Sequence, residues 1–262
     1  MKTTLLNKLT LFITLLALSF STAAQTNLNK ITDFNELSEQ FLKDIKNGKD
    51  TENIQDKLEN TTLEALIAGL KTDQEKLAFW VNIYNGYIQV ILQKNPDLYK
   101  DRGEFFKKKQ IAIAGEMLSF DKIEHGIIRK SQWKLGLGKV RKLFPNKFER
   151  KLRVDARDFR IHFALNCGAK NCPPVAIYSP DKLDAQFDMS SRNYLMKTTS
   201  FNEDEKTITI SPLFNWFRGD FGSKNDIRAI LKSYAILDST EKISIKYGDY
   251  DWTLDLDNWT EF

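Results

Sequence analysis

Arg160-Ile161-His162-Phe163-Ala164-Leu165-Asn166-Cys167-Gly168-Ala169-Lys170-Asn171-Cys172-Pro173-Pro174 holds both cysteines of this 262-residue chain and one of its two histidines. The other histidine lies upstream, in Asp121-Lys122-Ile123-Glu124-His125-Gly126. All four of these scarce side chains fall within about fifty residues, roughly a third of a typical domain. Thiol and imidazole are the side chains best suited to nucleophilic and proton-transfer chemistry near neutral pH. The reading of the chain therefore turns on whether the four meet in space. As a strand, the segment would send His162 and Asn166 one way and Phe163 and Cys167 the other. As a helix, it would be capped by Asp158 and closed by Gly168, and this reading is preferred. Asn171-Cys172-Pro173-Pro174 then forces an extended turn.

Outward from this stretch, the strongest helical signal opens at Thr72-Asp73-Gln74-Glu75, a capping box, and ends before Asn95-Pro96. Leu77, Trp80, Val81, Tyr84, Ile88 and Ile91 recur along it at helical spacing, while Asn82, Asn85 and Gln89 form one amide stripe. A helix this apolar is buried, and buried amides need partners. Asn82 and Asn85 are therefore candidates to face a polar pocket, and Gln89 is read as solvent-facing or internally bonded. Phe34, Leu37, Phe41 and Ile45 predict an earlier helix ended by Gly48, expected to pack loosely on the rest. Thr61-Thr62-Leu63-Glu64 predicts a capping box for a short helix to Leu70.

Ile111–Ala114 and Met117–Phe120 read as a hairpin, followed by a helix over 121–130. Residues 131–148 read as an irregular connection. Ser179-Pro180-Asp181 opens another helix, Thr207–Ile210 is a short strand, and 225–237 is helical. Ile243–Tyr247 and Trp252–Leu256 read as a final hairpin. The fold class expected is α+β, a mainly helical single domain with a small antiparallel β-sheet.

The start of the chain is a three-part export signal: Lys2 and Lys8, an apolar run over Leu9–Phe20, and small residues Ser21-Thr22-Ala23-Ala24. The expected organisation is a cleaved signal peptide over 1–24, a helical segment over 25–60 and the main domain over 61–262. Export, to the periplasm or beyond, follows from that reading, with no membrane span. Removing the signal takes away two lysines and lowers the net charge from +4 to +2. So weak a balance argues against a nucleic-acid partner. Eighteen Phe and five Trp give ample core material without disulfides. Two cysteines in an oxidising compartment can nevertheless pair.

Several runs together resemble one family: Leu77-Ala78-Phe79-Trp80-Val81-Asn82-Ile83-Tyr84-Asn85, Asp121-Lys122-Ile123-Glu124-His125, the Arg160–Ala169 run with Cys172-Pro173-Pro174, Leu213-Phe214-Asn215-Trp216-Phe217 with Asp220-Phe221, and Tyr250-Asp251-Trp252-Thr253-Leu254. The family is the domain of unknown function numbered 547, DUF547. The resemblance covers roughly Thr61 to the C-terminus. Asp255 stands where the family pattern usually has Asn, and Phe159 where it favours Pro. The resemblance implies a domain label and no activity.

Two functions fit the residues. One is a cysteine hydrolase acting on an amide or ester. Cys167 would be the nucleophile, His162 or His125 the base, and Glu124, Asn82 or Asn85 the group that orients the imidazole. Arg160 and Asn166, with Asn82 and Asn85, would bind substrate, although Arg160 can instead simply pair with Asp158. The other is a non-catalytic binding or scaffold domain with a Cys167–Cys172 disulfide, which would add on the order of 2 kcal/mol. Either takes a small-molecule or peptide ligand and no cofactor. A zinc site on the histidines and cysteines has the wrong cysteine spacing, and a redox role lacks Cys-x-x-Cys. Trp216, Trp252 and Trp259 are read as core or rim.

Overall fold

The structure is a computed structural model and describes residues 33–239 and 243–262. The expected signal peptide lies outside the described residues. Four helices open the described fold: α1 (Phe34–Lys46), α2 (Glu52–Asn60), α3 (Leu63–Gly69) and α4 (Asp73–Lys94). Helix α4 is the axis. Thr72 caps it, accepting from Glu75 N while the Glu75 carboxylate accepts from the Thr72 backbone, so the expected capping box forms. Its residues from Lys76 through Gln89 are all buried, because other segments pack on every side.

Helix α1 does not pack loosely. Phe41 and Leu42 are fully buried, and Phe41 lies 5.2 Å from the Tyr87 ring of α4. Gly86 makes this approach possible, since a Cβ there would sit 2.5 Å from Phe41 Cε1. Helix α2 gave no clear periodic signal, and only its Ile54 and Leu58 are buried. For α3 the cap is Thr62 accepting from Ala65 N, so Glu64 falls one position short of the expected capping box.

A 3₁₀ turn (Pro96–Asp101) and α5 (Arg102–Lys107) lead into the hairpin β1 (Ile111–Ile113) and β2 (Glu116–Leu118). The pair is antiparallel and turns at Ala114-Gly115, both at positive φ. Next comes a π-helix over Lys122–Ile128 rather than an α-helix. Its wide turn shows in Arg129 N donating to Glu124 O and Ser131 N to Gly126 O. The irregular connection ends at α6 (Lys147–Leu152). The cysteine segment is helical only briefly, as a 3₁₀ turn over Phe159–Phe163 capped by Asp158.

Helix α7 (Leu183–Thr198) follows, then β3 (Ser200–Asn202), β4 (Thr207–Ile210), the short helices α8 (Leu213–Trp216) and α9 (Arg218–Phe221), α10 (Lys224–Ser233) and β5 (Ser244–Tyr247). Strand β4 pairs antiparallel with β3 and parallel with β5, so the second sheet is mixed. The expected final hairpin does not form. Residues beyond β5 instead run along the cysteine loop: Lys170 N donates to Thr253 O and Asp255 N to Gly168 O, both at 2.8 Å. A second apolar layer, with Phe163, Tyr194, Ile208, Phe214, Phe221 and Leu231, packs with the mixed sheet. The fold is a mainly helical α+β domain with two small sheets.

Candidate functional site

A cavity of about 280 Å³ lies between α4, the π-helix, the cysteine loop and the C-terminal segment. Tyr84, Phe106, Trp216, Phe217, Tyr250 and Trp252 give it aromatic walls. Asp121, Glu124, His125, Lys134 and His162 supply polar groups, and Cys167, Cys172 and Pro173 complete the lining. The long-range proposition of the sequence thus holds in part: two imidazoles, Glu124 and the cysteine sulfurs border one hollow.

The sulfurs are joined. Cys167 and Cys172 form a disulfide with their Cα atoms 6.1 Å apart. In this form Cys167 carries no thiolate, so a role as nucleophile would require the bond to be reduced. The Tyr250 hydroxyl lies 3.8 Å from Cys167 Sγ, and among the described residues neither imidazole bonds that sulfur.

Both imidazoles are oriented, by groups the sequence did not single out. Arg129 Nη1 donates to His125 Nδ1 at 2.8 Å. A guanidinium only donates, so Nδ1 is the lone-pair nitrogen and the proton sits on Nε2. Asp121 Oδ1 lies 3.8 Å from that Nε2 and is itself bonded by Lys134 at 2.8 Å. Burial first, then the Arg129 charge, lowers the His125 pKa to about 3, so the ring is neutral. His162 Nε2 is 2.8 Å from Asp220 Oδ2, and its ring stacks on Phe217 with centroids 3.9 Å apart. Burial lowers its pKa although Asp220 opposes.

Asp220 is the electrostatic centre. Its Oδ2 also accepts from Arg129 Nε at 2.7 Å, and its Oδ1 from Arg157 Nη1 at 2.5 Å. Burial alone would raise its pKa, but the bonds from His162 and Arg129 prevail and hold it at about 2. Gly138 covers this knot from the 131–148 connection. Its carbonyl accepts from Arg157, and at φ +78° its bare Cα leaves room for Arg129 and Asp220. Glu124 does not orient an imidazole through a hydrogen bond. Its Oε1 is buried without a partner, 3.5 Å from His125 Nδ1, and burial raises its pKa.

The expected substrate-binding residues lie elsewhere. Asn82 and Asn85 are wholly buried, but they bond backbone. Asn82 accepts from Tyr178 N at 3.0 Å and donates to Tyr178 O at 2.8 Å. Asn85 accepts from Asn166 N at 2.8 Å and donates to Ala164 O at 3.0 Å. Asn166 in turn accepts from Gly168 N and donates to Pro173 O, closing the cysteine loop. None of the three borders the cavity; they shape its wall. Arg160 also points away, paired with Asp158, Asp184 and Asp188. Trp216 and Trp252, expected in core or rim, line the cavity as a stacked pair 5.5 Å apart. Among the described residues no three His, Cys, Asp or Glu side chains are grouped to hold a metal ion.

Residues 67–195 match the model of a family described as "Protein of unknown function, DUF547". The chain belongs to the DUF547 family. Comparison with curated proteins and with solved structures gives no match. The matched part of this DUF547 chain carries α4, the π-helix, the cysteine loop and both histidines. Asp220, Trp216, Phe217, Tyr250 and Trp252 lie C-terminal to it. Asp220 and Tyr250 were visible in the sequence as parts of short motifs, but nothing marked them as partners of His162 and the sulfurs.

Proposed function

We propose that this DUF547 domain is a binding module for a small-molecule or peptide ligand, with the disulfide as part of the binding wall. The carrying observation is the concavity itself: six aromatic side chains face a cluster of neutral or paired polar groups. An apolar pocket with a few convergent polar groups is the usual form of a ligand site. Neutral His125 offers Nε2–H as a donor, and buried Glu124 offers a carboxyl with an unused oxygen. The ligand that suits this lining has a flat or apolar body and one end that both accepts and donates hydrogen bonds. Export to an oxidising compartment belongs to the same proposal, because it would keep the disulfide closed. Among the described residues no helix is long and apolar enough to cross a membrane.

The test is a fragment screen followed by tryptophan fluorescence, since Trp216 and Trp252 are in the wall. Hits should quench or shift the emission, and Trp252→Ala should weaken them at least tenfold. Hits that bind the variant equally well would place the ligand elsewhere.

Thiol-dependent hydrolysis of an amide or ester is a second reading, and one observation favours it. His162 and Cys167 border the same cavity, and Asp220 holds the His162 ring from behind, the roles of base, nucleophile and orienting group. It requires the reduced chain. An activity-based thiol probe should then label Cys167 after reduction and not before. Hydrolytic activity unchanged in Cys167→Ser would remove this reading.

A further inference from the structure

The two halves of the disulfide are not equivalent. Cys172 is 3% exposed and Cys167 is half-buried. Two donors are aimed at one sulfur: Cys167 N–H reaches Cys172 Sγ at 3.0 Å, and the Tyr250 hydroxyl donates to it at 3.2 Å. Among the described residues Cys167 Sγ has only the longer Tyr250 hydrogen-bond contact, at 3.8 Å. Tyr250 packs against both Trp216 and Trp252, at ring distances of 5.0 and 4.7 Å. Burial keeps its phenol protonated, hence a donor.

A sulfur that receives two hydrogen bonds is the better leaving thiolate, and the less covered sulfur is the better target. We propose that the cavity is a thiol–disulfide exchange site for a low-molecular-weight aliphatic thiol of cysteine or cysteamine size. The incoming thiolate attacks Cys167 Sγ, forming a new S–S bond there. The Cys167–Cys172 bond breaks, and its electron pair leaves on Cys172 as a thiolate bonded by Cys167 N–H and Tyr250. One disulfide is exchanged for another, so no external oxidant or reductant is consumed. A cavity of about 280 Å³ admits a thiol of that size beside the sulfur. The Asn85–Asn166–Pro173 bonds hold both ends of the loop while the bridge is open.

The test uses the oxidised full chain with millimolar cysteamine, quenched with acid and N-ethylmaleimide and mapped by peptide mass spectrometry. Cysteamine is expected on Cys167 and maleimide on Cys172. Tyr250→Phe should keep that pattern and slow the reaction about tenfold, the effect of one lost hydrogen bond to a charged sulfur. Three outcomes would overturn the proposal: cysteamine equally on both cysteines, a Tyr250→Phe rate equal to that of the unaltered chain, or a folded chain no more reactive than the urea-unfolded one. The mapping of the unaltered chain decides even if Tyr250→Phe does not fold. Fragment binding to the oxidised chain is measured separately, so failure of exchange and failure of the binding module are told apart.

Discussion

At the scale of single residues, the site depends on one buried carboxylate. Asp220 receives His162, Arg129 and Arg157 together. Asp220→Asn would leave two guanidinium groups facing a neutral amide, one of them fully buried on Arg129. The expected loss is about 3–5 kcal/mol in urea unfolding, the range for breaking a buried ion pair. A loss under about 1 kcal/mol would show that solvent already screens the cluster. The histidines give a pH dependence of a definite sign. An unfolded imidazole takes a proton below about pH 6.5, whereas folded His125 refuses it down to about pH 3. Stability from this group is present above pH 6.5 and falls at about 1.4 kcal/mol per pH unit below it. His162 acts in the same direction. Asp220 works in a separate, lower window: its stabilisation is complete above about pH 4 and is lost as pH falls towards 2. Between pH 7 and 5, His125→Asn, which keeps an oxygen for Arg129, should lose about 2 kcal/mol less than the unaltered chain. Equal losses would mean that His125 is charged in the fold. Cys167, Cys172, His125 and His162 were legible in the sequence because they are scarce. Asp220 and Arg129 were not, because each is one of many like-charged side chains and only the fold selects it. Asn82, Asn85 and Asn166 read equally well as ligand contacts or as clamps, since a buried amide needs a partner of either kind.

At the scale of elements, periodicity identified helices well and strand partners poorly. Helix α4 was legible in full because capping box, apolar spacing and terminal Asn95-Pro96 agree. The π-helix was not, since one extra residue per turn leaves no separate mark in seven residues. Alternation predicted β5 as a strand, but alternation does not name a neighbour, and β5 chose β4 in parallel rather than the segment after it. The contact of α1 with α4 was also invisible, because it rests on the absence of a side chain at Gly86. That absence makes a prediction. Gly→Ala in a helix interior normally stabilises by about 1 kcal/mol. Here a Cβ would lie 2.5 and 2.7 Å from two Phe41 ring carbons, and that ring is fully buried. Gly86→Ala should therefore destabilise by about 1–3 kcal/mol, the cost of overpacking. The thermal midpoint measures it, and a rise would show that α1 can shift without loss.

At the scale of the molecule, the segment that carries the family match holds only part of the site. Residues 67–195 hold the histidines and the cysteine loop. Their counter-charge, Asp220, and the aromatic wall of Trp216, Phe217, Tyr250 and Trp252 come from the last quarter of the chain. The same quarter clamps the loop: Thr253 O and Asp255 N bond it on one side, and Asn258 bonds Cys172 O at 2.9 Å and Val175 N at 2.8 Å. A fragment ending at residue 195 would expose Phe163, Tyr194 and Leu195, which pack against Ile208, Phe214 and Phe221 in the intact domain. It would also leave Arg129 and His162 without their carboxylate. Residues 34–262 should unfold cooperatively, whereas 34–195 should give no single transition and should bind a hydrophobic dye. Far-ultraviolet circular dichroism of 34–195 should still show helix, since α4 has its own caps. A sharp, dye-free transition for 34–195 would mean that the histidine and cysteine segments hold their geometry alone. In that case Asp220 would be an addition to a finished site instead of the group that completes it.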